Sequence, residues 1–108
     1  MTRKKIDYTE IEHNQWFKEA EFGNAKAQYE LGMRFFNGDG VEKSEKEAVK
    51  WWRQAAEKEN AAAQYMLGFC YEKGYGVEQN KAEAVKLYRK AARKGDEDAK
   101  DALKRLGE

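Results

Sequence analysis

The chain has 108 residues, which is enough for one domain with a hydrophobic core. Hydrophobic residues make up 41% and charged residues 38% of the sequence, and proline is absent, as is typical of a helical protein with a well-solvated surface. The 21 basic and 20 acidic side chains leave a net charge of +1, which argues against a general affinity for nucleic acid or for an anionic membrane.

The cysteine content and the N-terminal sequence bear on cellular location. Cys70 is the only cysteine, so an internal disulfide bond is excluded. Residues 1–12 carry basic side chains with no apolar run after them, so they are not a signal peptide as written. No stretch reaches the length of a transmembrane helix. These features favour a cytoplasmic protein, with export through a signal already removed as the alternative.

The first predicted helix lies in residues 9–24. Thr9 and Glu12 have the spacing of a capping box, which predicts that the helix begins near Glu10. Trp16 aligns with Trp52 in the repeat described next. The segment therefore corresponds to the second half of a repeat.

Residues 25–60 (repeat 1) and 61–96 (repeat 2) are two versions of one 36-residue sequence, and half of their aligned positions are identical without a gap. A fixed period of this length indicates a repeat architecture. In repeat 1, Ala27, Leu31 and Phe35 recur every four residues, which places them on one face of a helix. A glycine-containing loop and a second apolar helical stripe follow. Each repeat is therefore predicted to form a first helix, a loop and a second helix.

The predicted helix ends recur in the same register. Asparagine or aspartate precedes each first helix, serine or asparagine precedes each second helix, and glycine follows each complete first helix. These cap positions are Asn24, Asn60 and Asp96, then Ser44 and Asn80, then Gly38 and Gly74. Gly32 and Gly68 lie inside first helices, where glycine costs about 1 kcal/mol relative to alanine. We therefore expect another helix to approach closely at these two glycines.

The C-terminal residues 97–107 predict one more first helix. Ala99, Ala102, Leu103 and Leu106 share one face of it, and the opposite face is charged. A polar outer face is what the terminal unit of a repeat stack requires. The predicted total is six helices, or about three repeats, which is near the minimum for a stable stack.

Three sequence patterns carry a resemblance to a known family. They are AxAQYxLG, GxGVE and EAVKxxRxAA, each present in both repeats. Together they resemble the Sel1-like repeat (SLR), a relative of the tetratricopeptide repeat, over residues 13–106. The resemblance implies an all-α fold, an α-α superhelix (solenoid) of helix–loop–helix repeats, and a role in protein interaction. It also implies a single domain over 1–108, divided into a half repeat at 9–24, repeats at 25–60 and 61–96, and a capping helix at 97–108.

A second apolar stripe on the first helices is the candidate binding site. Tyr29, Met33 and Phe36 lie well away from the Leu31 side of the helix, and Tyr65 and Phe69 repeat the pattern. By resemblance to tetratricopeptide-like folds, this stripe lines a concave groove. The implied partner-binding residues are Lys26, Tyr29, Met33, Phe36, Tyr65, Phe69, Lys73, Asp101 and Arg105. The alternative is that the stripe is buried between successive first helices.

Residues for catalysis or for binding a metal or cofactor are not apparent. Cys70 and His13 are the only cysteine and histidine and lie nearly two repeats apart, so neither a thiol–imidazole pair nor a Cys/His metal site is predicted. The GDGV and GYGV loops lack the flanking residues of a phosphate-binding loop. Residues 81–94 form a basic stripe, which we interpret as a solvated face, with an acidic partner or nucleic acid as the alternative.

The sequence therefore predicts a non-enzymatic protein–protein interaction module, an adaptor or scaffold that binds a peptide or helix in an aromatic groove. The expected partner is a protein or peptide and not a nucleic acid or a membrane, and no cofactor is expected. One alternative is a structural or designed repeat protein that self-associates through the ends of its solenoid. A hydrolase-like SLR enzyme is the less favoured alternative.

Overall fold

The computed structural model of the chain describes the backbone of residues 8–108 and the side chains of residues 15–108. Over that range the chain forms six α-helices and no strand, which confirms the predicted all-α class. The helices are α1 (Tyr8–Glu21), α2 (Ala25–Asn37), α3 (Glu45–Glu57), α4 (Ala61–Lys73), α5 (Lys81–Arg93) and α6 (Glu97–Arg105). In this described part of the chain, no helix is both long enough and apolar enough to cross a membrane.

The start of α1 differs from the prediction. The helix begins at Tyr8, so Thr9 lies inside it and is not its N-cap. Threonine and glutamate three residues apart also fit successive turns of a helix, so the spacing alone did not define the boundary. The side chain of His13 lies outside the described residues.

The other five helix starts are as predicted. Asn24, Asn60 and Asp96 each accept a hydrogen bond through Oδ1 from the backbone N–H three residues later, at 2.9, 2.8 and 2.9 Å. Ser44 and Asn80 cap the second helices in the same way, at 3.1 and 3.0 Å. Each bond satisfies one of the free N–H groups of a helix's first turn.

The two complete first helices end at glycines with left-handed backbone conformation, as predicted. Gly38 has φ 70° and Gly74 has φ 78°, and their N–H groups bond to carbonyls of the last turn. Side chains rarely adopt this conformation, so glycine favours the stop at these positions.

Each repeat closes its helix pair around one interior glycine. A Cβ atom on Gly32 would overlap the Trp52 indole, and one on Gly68 would lie 2.9 Å from Cδ1 of Tyr88. Trp52 and Tyr88 are both fully buried. The glycines therefore allow a large aromatic side chain of the second helix to lie directly on the first helix, which confirms the predicted close approach.

The helix pairs stack into two layers, with first helices α2, α4 and α6 on one side and second helices α1, α3 and α5 on the other. Buried glutamines join successive units: the Nε2 of Gln28 donates to the Ala20 carbonyl at 3.0 Å, and that of Gln64 donates to the Ala56 carbonyl at 3.2 Å. The stack is elongated, with extents of 52 × 23 × 18 Å. One face made by successive first helices is thus available along its length.

Candidate protein-binding face

The first-helix face, made by α2, α4 and α6, carries all nine predicted partner-binding residues. The apolar and aromatic members are half-buried: Tyr29, Met33, Phe36, Tyr65 and Phe69. The charged members are exposed: Lys26, Lys73, Asp101 and Arg105. The face therefore has a partly covered apolar centre with charged residues around it.

The rings on this face form a continuous series of contacts that we call the aromatic row: Phe36, Tyr75, Phe69 and Tyr65. The ring centroids of Phe36 and Tyr75 are 5.8 Å apart, and those of Tyr75 and Phe69 are 5.7 Å apart. Phe69 and Tyr65 stack at 6.5 Å with an interplanar angle of 23°. These separations are within the range favoured by aromatic pairs. The row joins α2 to α4 without a gap.

Both ends of the aromatic row rest on the core. The ring centroid of Phe36 lies 5.5 Å from that of the fully buried Trp52, and the ring centroid of Tyr65 lies 5.6 Å from that of the fully buried Tyr88. The Trp52 indole also donates a hydrogen bond to the Tyr29 carbonyl at 3.1 Å. Packing within each helix pair thus uses part of these two rings, and both remain half-buried. Ring contact between the two repeats runs through Tyr75, which meets Phe36. The stripe is therefore neither wholly buried between successive first helices nor wholly exposed.

Tyr75 belongs to the aromatic row but was not predicted from the sequence, which indicated only a glycine-containing loop at this position. Repeat 1 has the exposed Asp39 at the equivalent position. The loop is held close to α3, because a Cβ on Gly76 would lie 2.6 Å from the Glu45 carbonyl oxygen. Val77 packs against the core in the same loop. The sequence feature that could have indicated this contact is an aromatic residue between two loop glycines in repeat 2 but not in repeat 1.

A charged cluster replaces the aromatic row at the α4–α6 end of the face. Glu72 stands at the position that Phe36 occupies in repeat 1. Its carboxylate accepts two hydrogen bonds from the Arg105 guanidinium, at 2.6 and 3.1 Å, and one from the Tyr88 hydroxyl at 2.7 Å. The Lys73 Nζ lies 4.0 Å from the Glu72 Oε2. Arg105 is therefore engaged within the chain, while about half of its side chain stays exposed, at 51%.

The cluster fixes the charge state of Glu72. The hydrogen bonds from Arg105 lower the pKa of the Glu72 carboxyl to about 2; the hydrogen bond from Tyr88 adds to this, and burial opposes it. Burial and the neighbouring Glu72 raise the pKa of Tyr88. At neutral pH, Glu72 is therefore ionised and Tyr88 is a neutral donor.

The tyrosines of the face are also neutral donors near neutral pH. Burial raises the pKa of Tyr29, with a further contribution from Glu30 and then from residues of the α6 start. Burial likewise raises the pKa of Tyr65, with Asp98 as the next cause. Both hydroxyls therefore remain protonated beside an acidic environment contributed by α6.

Cys70 is placed as a packed residue of the core. It is fully buried, and burial raises the pKa of its thiol to about 12, with Glu45 adding to the shift. The nucleophilic form of a cysteine is the thiolate, so this thiol is poorly reactive at neutral pH. Among the side chains that the structure describes, no group of three or more His, Cys, Asp or Glu residues could hold a metal ion.

The basic stripe of α5 lies on the surface and is partly neutralised. Arg89 pairs with Glu108 at 2.7 Å, and Lys94 pairs with Glu59 at 2.6 Å. Lys86 is exposed on the same helix. Exposed ion pairs contribute little stability, and such a face needs no ligand to account for it.

Comparison with known proteins agrees with this architecture. The sequence model of the Sel1 repeat matches residues 25–60 and 61–96, the two repeats of this chain. No match is found among curated proteins. Proteins of the Sel1 repeat family are generally non-catalytic helical repeat modules, and they typically mediate protein interactions.

Several solved structures are similar to this one. A Sel1 repeat protein from Oxalobacter formigenes is 43% identical with a TM-score of 0.80, over 82% of this chain and 37% of its own. The antigen c5321, a protective antigen of uropathogenic Escherichia coli strains with an SLR fold, is 36% identical with a TM-score of 0.85, over 94% of this chain and 22% of its own.

Helicobacter pylori cysteine rich protein B is 28% identical with a TM-score of 0.82, over 91% of this chain and 73% of its own. The chain thus spans little more than a third of the O. formigenes protein and less than a quarter of c5321. Because the family model matches both repeats and the solved structures share the fold, the chain belongs to the Sel1 repeat family.

Proposed function

We propose that this chain is a non-enzymatic protein-interaction module, an adaptor or scaffold that holds a peptide or helix of a partner protein on its first-helix face. The observation that carries the proposal is the unbroken aromatic row from Phe36 to Tyr65. Phe36, Tyr75 and Tyr65 pack against the core, Phe69 is held between the Tyr65 and Tyr75 rings, and all four side chains are half-buried.

Such a row suits binding for two physical reasons. Its side chains have few rotamers, and their contacts with the core and with one another already restrict those rotamers. Binding a partner therefore costs these side chains little conformational entropy. Aromatic side chains also dominate the binding energy of protein interfaces. An amphipathic helix laid along the row is the mode of recognition that such a surface favours.

The charged residues around the row supply orientation. Lys26 lies at the α2 end, and Asp101 and Arg105 lie at the α6 end. Since Arg105 already binds Glu72, it contributes through the outer part of its guanidinium. We expect these residues to affect association rate and direction more than affinity, as rim charges do.

Two copies of the chain stacked end to end are disfavoured by the residue at position 104. In such a stack, α1 of one copy would pack on α6 of the other, and Trp16 would lie on α6 in the way that Trp52 lies on Gly32. The α6 residue that aligns with Gly32 and Gly68 in the 36-residue repeat is Lys104. Because even a Cβ at Gly32 would overlap the indole, a lysine there opposes the contact.

We also propose a cytoplasmic location, supported by the unpaired Cys70.

Site-specific crosslinking tests the proposal. A photo-reactive phenylalanine analogue replaces Met33, which is half-buried beside the row, and in a matched control it replaces Phe22, which is 90% exposed at the end of α1. Illumination in cell lysate should give a discrete protein adduct from position 33 and none from position 22. The adduct should disappear when Phe69 is replaced by alanine.

The opposite pattern would contradict the proposal. Equal adducts at both positions would indicate non-specific capture. An adduct at position 33 that survives Phe69→Ala would show that the aromatic row does not carry the interaction. Adducts made only of a second copy of the chain would favour the structural, self-associating alternative.

A further inference from the structure

Solvation and ion pairs account for most of the basic stripe of α5, but this helix also carries an open cleft of about 240 Å³. Four of the residues that line the cleft are basic, two are apolar and none is acidic. They are Ala82, Val85, Lys86, Arg89, Lys90 and Arg93. Because these positions recur at intervals of three and four residues, they follow one side of the helix. The cleft therefore gathers four cations of the basic stripe on a single surface.

Ion pairs within the chain use only part of this charge. Arg89 pairs with Glu108 at 2.7 Å, and about half of the Arg89 side chain stays exposed, at 55%. Lys86, Lys90 and Arg93 make no ion pair with any of the described residues. Three cations of the cleft are thus left without a carboxylate partner in the described part of the chain.

This charge belongs to the last second helix and not to the repeat in general. In the 36-residue register, Lys90 corresponds to the neutral Gln54 of α3, and Arg93 corresponds to the acidic Glu57. The helix macrodipole favours cations in the last turn of α5, but Lys86 lies in its second turn. Since α3 forms the same helix pair without these cations, packing of the repeat does not require them on α5.

We propose that the α5 cleft binds a short acidic segment of a partner protein, whose glutamate or aspartate side chains pair with Lys86, Lys90 and Arg93. Charge complementarity selects this occupant, because the segment supplies the carboxylates that these three cations lack within the chain. Ala82 and Val85 add a small apolar surface on which the methylene groups of such side chains can lie.

The size of the cleft favours a peptide over a nucleic acid. Lys86 and Arg93 lie two helical turns apart, which is about 10 Å along the axis. Proteins that bind DNA through its phosphates commonly contact about 6–10 of them, whereas this cleft offers three unpaired cations. The net charge of +1 adds no wider attraction for a long polyanion.

The α5 cleft is separate from the first-helix face. α5 is a second helix, and none of the residues that line the cleft is among the nine predicted partner-binding residues. The acidic segment can belong to the same partner or to a different one. The proposal therefore does not depend on the aromatic row.

Titration with a capped octaglutamate peptide, followed by amide NMR, tests the cleft, and a capped Gly-Ser octapeptide is the uncharged control. Saturable shifts should appear at the backbone amides of residues 82–93. Raising the salt concentration from about 0.01 M to about 1 M shortens the Debye length from about 30 Å to about 3 Å, so binding should weaken at least about tenfold. The absence of saturable shifts, or equal shifts with the Gly-Ser peptide, would overturn the proposal.

The α3 helix supplies the residues for a variant that removes the charge. Lys90→Gln with Arg93→Glu gives α5 the α3 residues at these positions, so the fold should be retained, and it should weaken octaglutamate binding at least about fivefold. Lys43→Glu with Lys46→Gln changes two exposed lysines near the start of α3, alters the net charge equally and should leave binding unchanged. Arg93→Gln alone serves if the α5 double variant does not fold.

Two outcomes with these variants would contradict the proposal. Equal weakening by both double variants would show that net charge, and not the cleft, governs binding. A short DNA duplex that binds more tightly than octaglutamate at about 0.15 M salt, and loses that binding in the α5 variant, would assign the surface to nucleic acid instead.

Discussion

Gly32 offers the sharpest test of how the helix pairs are held together. Alanine in place of glycine inside a helix is normally stabilising, by about 1 kcal/mol. At this position the added Cβ would overlap the Trp52 indole, which is fully buried and donates to the Tyr29 carbonyl. Gly32→Ala therefore has to displace a fully buried side chain.

The magnitude follows from two opposing effects. Overpacking a core costs about 1–3 kcal/mol, and losing the indole hydrogen bond costs about 0.5–1.5 kcal/mol more. After the gain in helix propensity, Gly32→Ala should reduce the free energy of unfolding by about 0.5–3.5 kcal/mol. For a chain of this size, each 1 kcal/mol lowers Tm by at least about 4 °C.

Gly68→Ala is the matched comparison, because its Cβ would lie 2.9 Å from the edge of the Tyr88 ring, a milder overlap. We expect the overpacking cost of Gly68→Ala to be smaller than that of Gly32→Ala and about equal to the gain in helix propensity. Its free energy of unfolding should therefore change little. Urea unfolding and thermal melts of both variants measure the difference. A Gly32→Ala variant as stable as the wild type, or less affected than Gly68→Ala, would refute this account of the helix pairs.

Three further outcomes follow from the contacts. Trp51→Phe should destabilise the fold about 1–2 kcal/mol less than Trp52→Phe in urea unfolding, because the buried Trp51 Nε1 has no hydrogen-bond partner in the described structure whereas that of Trp52 does; equal losses would contradict this. The pKa of Glu72 is lowered from 4.5 to about 2, so its pairing with Arg105 stabilises the fold above pH 4.5 and is lost as pH falls toward 2. The Tm difference between wild type and Glu72→Gln should accordingly shrink over that interval, and a constant difference would exclude the ion pair as its cause. Alkylation of Cys70 should be slow in the native protein and fast in urea, since burial raises its pKa to about 12; rapid native labelling would show that the thiol is accessible.

Local signals in the sequence were sufficient to predict the helix pairs. Asn60 and Ser44 cap helices, and Gly38 and Gly74 end them, because these roles depend on the backbone within a few residues. The interior glycines were predicted to mark close contacts because a helix carries such a residue only at a cost. Thr9 failed as a cap because the same spacing is compatible with a helix interior.

The details of the candidate faces depend on neighbours that are distant in sequence. Tyr75 joins the aromatic row only because its loop is held against α3. The sequence of repeat 1 gives no indication of that contact. Arg105 binds Glu72 across 33 positions, and no periodic pattern predicts that pairing.

The central claim is that the aromatic row of the first-helix face binds a partner protein. The most direct measurement is the affinity of the partner identified by crosslinking at position 33, determined by calorimetry for Phe69→Ala and for Phe22→Ala. Both variants remove one phenyl ring, and circular dichroism confirms that each is folded. We predict that Phe69→Ala weakens binding by about 1–3 kcal/mol, the range of interface hot spots, and that Phe22→Ala leaves it unchanged. Unchanged affinity in Phe69→Ala, with its stability reduced by about 3–5 kcal/mol as for a core residue, would contradict the claim.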